Sequence, residues 1–86
     1  MMSHLMDNFR VLHWEHPVKK RYYRVSLQTD LLGDCVLTKI WGSTGRKNGR
    51  IVHIFCDSFA AGKEFIEKII RIRHSRGYLL MPAYCI

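Results

Sequence analysis

The chain has 86 residues, 48% of them hydrophobic and 12% aromatic, which fits one small domain spanning 1–86 and excludes global disorder. Fourteen Lys and Arg stand against seven Asp and Glu, a formal charge of +7, so an anionic partner such as nucleic acid suits the balance. No apolar run approaches the ~18–20 residues that cross a bilayer, and "MMSHLMDNFR" lacks the basic and apolar regions of a secretory leader.

In chain order, "FRVLHWEH" (9–16) is rich in β-branched and aromatic residues and stops at Pro17, which predicts a first strand. "HPVKKR" reads as a turn. "RYYRVSLQT" alternates, with Tyr23, Val25 and Leu27 on one side and Tyr22, Arg24, Ser26 and Gln28 on the other, the pattern of a half-buried strand. "DLLGD" is a glycine turn, "CVLTKIWG" a third strand ending near Trp41, "GSTGRKNG" a further turn and "RIVHIFC" a fourth strand. Strands in succession joined by short turns indicate an antiparallel meander.

The period then changes. Over "DSFAAGKEFIEKIIRIRHSRG", Phe59, Phe65, Ile66, Ile69, Ile70 and the aliphatic stem of Arg73 fall on one helical face. Asp57 or Ser58 caps the start, and Gly77 ends the helix in the left-handed region. Gly62, inside this helix, implies close packing against the sheet. The tail "YLLMPAYCI" is apolar and is expected along a sheet edge or in a groove. The expected fold is α+β, a small antiparallel sheet of four to five strands with one amphipathic helix packed on it.

Chemistry is sparse. Cys35, Cys56 and Cys85 are odd in number, distant in sequence and without a C-x-x-C spacing, which implies reduced thiols in a cytoplasmic protein. No spacing joins a nucleophile, a base and an orienting group, so no catalytic residue and no enzymatic activity are expected. His13 and His16, three apart on a strand, point to opposite faces, so no metal site is expected, and no cofactor either.

"KIWGSTGRKNGRIV" (39–52) remains. One reading is a β-turn whose tryptophan packs on the sheet while its charges face water. The other is a binding turn: the glycines, Gly42 among them, admit close approach, Trp41 offers a flat face, and Arg46, Lys47 and Arg50 supply phosphate contacts. Lys19, Lys20 and Arg21 add charge nearby.

"YYRVSLQTD", "GDCVLTKIWGSTG", a "GR" opening the next strand and "DSFAAGKEFIEKIIRIRHSRGY" resemble, in order and spacing, the WGR domain, over about residues 20–78 with 79–86 as an apolar tail. That module takes its name from a Trp-Gly-Arg triplet. It occurs in DNA-dependent poly(ADP-ribose) polymerases and in bacterial proteins, some stand-alone and some linked to molybdate regulation. The resemblance implies a compact antiparallel sheet crossed by one helix, and DNA binding in which the motif tryptophan stacks on a terminal sugar and the motif arginine contacts the DNA. Trp41 and Gly42 match the triplet; Ser43 replaces its arginine, and Arg46 is the nearest basic residue downstream. The expected function is therefore non-enzymatic nucleic-acid binding, with DNA as the partner. The alternative is a protein-interaction module or homodimer that uses the sheet face and the tail.

Overall fold

The computed structural model describes residues 10–47 and 49–81. It contains β1 (Arg10–His16), β2 (Arg21–Thr29), β3 (Cys35–Ser43), β4 (Arg50–Cys56), α1 (Phe59–Ser75) and β5 (Leu79–Leu80). The strands form one antiparallel sheet in the order β4-β3-β2-β1-β5. The fold is thus a small α+β sandwich: one five-stranded sheet and one helix laid across it. β3 runs one residue past the expected strand, through Ser43. The start of the tail adds Leu79 and Leu80 to the free side of β1; residues 82–86 lie outside the described part.

Cross-strand register decides which residues share a face. Trp14 pairs with Tyr23, Tyr23 with Trp41, and Trp41 with Arg50, so these four form one row across the inner face. A second row runs Leu27, Leu37, Ile54, a third Thr29, Cys35, Cys56. The core consists of Trp14, Val25, Leu27, Cys35 and Leu37 from the sheet with Ile66 and Ile69 from α1. Each fully buried aliphatic side chain contributes about 1.5–3 kcal/mol. Trp14 is 0% exposed and lies at the centre.

α1 starts where the Ala61 N–H donates to Ser58 Oγ at 3.1 Å, so of the two capping candidates Ser58 makes the bond. Gly62 faces the sheet so closely that a Cβ there would lie 2.6 Å from Leu27 Cδ1 and 3.4 Å from Cys56 Sγ. This close seat makes Gly62, Ile66 and Ile69 the contact line. Phe65, expected on the inner face, is instead 45% exposed. It lies on the flank of that line, roughly 70° from its centre, and the tight approach at Gly62 leaves no room to roll it inward.

Cys35 and Cys56 are far apart in sequence but are direct partners across β3 and β4, both as free thiols. Burial, with Cys56 alongside, pushes the Cys35 thiol above its ordinary pKa. Cys85 lies outside the described residues.

Candidate nucleic-acid interface

The first row of the inner face runs out from beneath the helix toward the sheet end where the 17–20 turn and the 44–49 turn meet. There the Thr44 N–H donates to the Lys20 carbonyl at 2.8 Å, clamping the two turns together. Lys20 adopts φ +55° to close its own turn. His16 Nδ1 accepts from the N–H groups of Val18 and Lys19 at 3.3 and 3.1 Å, which fixes the base of Lys19.

At this end a groove of about 630 Å³ opens between the sheet and the end of the helix. Four aromatic rings (Tyr22, Tyr23, Trp41, Tyr78), four cations (Lys19, Arg21, Arg73, Arg76) and Gly42 line it. No carboxylate is among them. The Trp41 ring is half-buried and stacks on Tyr23 with centroids 6.0 Å apart and planes 17° from parallel. Beneath, Trp14 meets Tyr23 edge-on at 6.1 Å. Trp41 therefore rests on an aromatic pair anchored in the core, and Lys39 Nζ stands 5.8 Å from its centroid.

The helix end supplies the other wall. The Gly77 N–H donates to the His74 carbonyl and the Tyr78 N–H to the Arg73 carbonyl, at 3.1 and 3.0 Å, with Gly77 at φ +89°. This is the Schellman arrangement, which folds the residue after the glycine back onto the last turn. It brings the Tyr78 ring over Arg73, whose guanidinium lies 4.8 Å from Tyr78 and 4.3 Å from Tyr23. Arg73 Nε is buried without a hydrogen-bond partner among the described residues. His16 meets the other side of Tyr78 edge-on at 5.2 Å. Burial raises the Tyr23 phenol above its ordinary pKa, although the Arg73 charge opposes the shift. The C-terminal half-charge of a helix is about −0.5, so four cations leave the groove strongly positive.

Of the residues singled out from the sequence, Trp41, Gly42, Lys19 and Arg21 meet in this groove. Lys20, Arg46 and Lys47 are exposed in the turns and do not line it. Arg50 stands beside Trp41 as its β4 partner, outside the lining. Ser43 pairs with Arg21 across β2 and β3, on the same face as the Trp41 row. Paired positions bring Cβ atoms to about 4.5–5.5 Å, so Arg21 supplies the charge beside Ser43.

The glycines also make room within the chain. A Cβ on Gly49 would lie 2.5 Å from the Tyr22 hydroxyl, and one on Gly42 would lie 3.2 Å from it. Both glycines form the slot for the Tyr22 ring. Arg73, Arg76, Tyr22, Tyr23 and Tyr78 complete the lining, and sequence reading had not assigned them to it.

On the outer face His13 is 5% exposed and stacked on Tyr22. Arg24 Nε donates to its Nδ1 at 3.2 Å, which leaves the proton on Nε2 to bond Glu15 Oε2 at 3.0 Å. His16 projects to the other face, as the spacing requires. No group of three His, Cys, Asp or Glu residues among those described comes together in metal-binding proximity. No described helix is long and apolar enough to cross a membrane.

No family model matches the sequence, and no solved structure matches it. The chain is 35% identical over 63 residues to "Uncharacterized protein y4dW" of Sinorhizobium fredii, a match covering 73% of this chain and 30% of that protein. The chain thus spans under a third of the length of this relative.

Proposed function

We propose that this chain is a non-enzymatic WGR-like module that binds nucleic acid, with DNA as the favoured form, in the groove between Trp41 and the end of α1, and that it does so in the cytoplasm. The observation that carries the reading is the half-buried Trp41 ring, backed by Tyr23, in a groove lined by four cations and no carboxylate. Stacking of a base or sugar on such a ring is worth about 1–3 kcal/mol, and each phosphate neutralised adds counterion release. Arg21, opposite Ser43, takes the part of the absent motif arginine, with Arg73 and Arg76 behind it. Contacts of this kind position a backbone or an end without reading base sequence.

The test is a titration of short duplex and single-stranded DNA into Trp14→Phe protein, in which Trp41 is the one remaining indole. Saturable quenching of Trp41, and a loss of affinity of about 5- to 150-fold in Trp41→Ala, are expected from the stacking range. Unchanged affinity in folded Trp41→Ala removes the groove from the reading.

A further inference from the structure

β4 is the outermost strand on one side of the sheet, and among the described residues nothing pairs with its free edge. Its seven residues, Arg50 to Cys56, form a long edge with exposed apolar side chains: Ile51 is 60%, Val52 38% and Phe55 72% exposed. Such an edge is a template for a further strand, and sheets normally blunt it with charge, proline or a bulge. Here the strand carries one formal charge, Arg50, at its very end.

We infer that β4 pairs antiparallel with the β4 of a second copy, joining two sheets into one across a two-fold axis at His53. The strand reads symmetrically about that residue. Val52 and Ile54 flank it, Ile51 and Phe55 lie one step further out, and Arg50 and Cys56 close the ends. In this register each Ile51 meets the Phe55 of the other copy on the outer face, where Ile40 and Val36 of β3 back them. Each Arg50 comes opposite the other Cys56, next to Asp57, so the terminal cation of one strand faces the acidic end of the other. A net charge of +7 per chain disfavours self-association in general. The β4 seam carries only Arg50, so little of that repulsion acts across it. Arg10, in β1, lies three strands from this edge, and Met81, just past β5, lies four. A two-fold axis is the commonest symmetry of soluble oligomers, and it requires this kind of self-complementary strand.

Sedimentation velocity on the full chain tests the inference, run beside Ile51→Lys, Phe55→Glu and an equimolar mixture of the two. Both positions are exposed in one copy, so each variant should keep the circular dichroism of the parent. The parent should sediment as a dimer, with each variant weakening dimerisation by at least about tenfold. The mixture should recover dimer, because this register sets the introduced lysine of one variant against the introduced glutamate of the other and leaves an unaltered Ile51–Phe55 pair beside them. Amide exchange provides a second reading that needs no substitution: β4 amides facing the edge should gain protection as protein concentration rises. A parent that is monomeric throughout, with exchange independent of concentration, overturns the inference. So does a dimer that both substitutions leave intact, or one that the mixture fails to restore.

Discussion

Removing one groove cation without disturbing its rings tests where the positive charge acts. Arg76 suits this, since it is exposed at the helix cap and its backbone N–H, not its side chain, bonds to the Ile72 carbonyl at 3.1 Å. If Lys19, Arg21, Arg73 and Arg76 each neutralise one phosphate, log affinity should fall against log salt with a slope of about −3.6. From about 50 to 200 mM salt that is a loss of about 150-fold. Arg76→Gln should reduce the slope to about −2.7 and the loss to about 40-fold. Arg46→Gln with Lys47→Gln removes two charges outside the lining and should leave the slope nearly unchanged. Fluorescence anisotropy of an end-labelled duplex across the salt series reads all three slopes. A slope near zero refutes phosphate binding. A slope that responds to the 46/47 pair and not to Arg76 returns the interface to the turn and refutes the groove.

The remaining predictions concern packing and titration. Gly62→Ala places a methyl 2.6 Å from the fully buried Leu27; overpacking of about 1–3 kcal/mol exceeds the helix-propensity gain of at most ~1 kcal/mol, so urea denaturation should show a loss, and a gain refutes the close seat. Of the two indoles, Trp14 is 0% exposed while Trp41 is half-buried: acrylamide should quench Trp14→Phe protein and spare Trp41→Phe protein, and the reverse order refutes the placement. The raised Tyr23 pKa makes the folded state hold its proton more tightly than the unfolded state; the stability from this group is full below the unfolded value, ordinarily about 10, and is lost as pH rises through the folded one. Because the Arg73 charge lowers that pKa, Arg73→Met should move the phenolate absorbance midpoint of Tyr23 upward. Gly77→Ala forces φ +89° on a residue with a Cβ and sets that Cβ 3.1 Å from His16 Nε2; a stability loss of about 1–2 kcal/mol should come with weaker DNA binding, and wild-type affinity in the folded variant refutes the role of the cap.

The fold was legible because its signals are local. Alternation in "RYYRVSLQT" and the β-branched and aromatic run "RIVHIFC" after a glycine turn give β2 and β4 with the bounds observed, and Gly62 and Gly77 each mark the contact and the stop that they make. The groove was less legible because its parts meet through strand register, which adjacency in sequence does not convey. Arg46, Lys47 and Arg50 cluster along the chain yet lie outside the groove lining, while Arg21 reaches Ser43 only through the β2–β3 pairing. A signal for the missed wall was nonetheless present. An arginine continues the Gly62, Ile66, Ile69 stripe at position 73, and "RGY" follows at 76–78. A glycine at that position predicts a Schellman turn, which packs the next residue on the residue five before it, so Tyr78 over Arg73 follows from the cap.

That cap explains how a groove can be both basic and rigid. A guanidinium held in water fluctuates and gives up side-chain entropy when it binds. Arg73 is already placed, between Tyr23 from the sheet and Tyr78 from the turn that ends the helix. Tyr23 at the same time supports the Trp41 ring, and Trp14 supports Tyr23 from the core. One column of side chains therefore connects a fully buried core residue, Trp14, to the half-buried Trp41 ring, and the cation enters that column from the helix. Elements as firm as strands position a site better than loops do. Charge arriving from β2, through Arg21, and from α1, through Arg73 and Arg76, lines the groove beside the indole from two sides, which suits the proposed ligand, whose phosphates would flank a stacked ring.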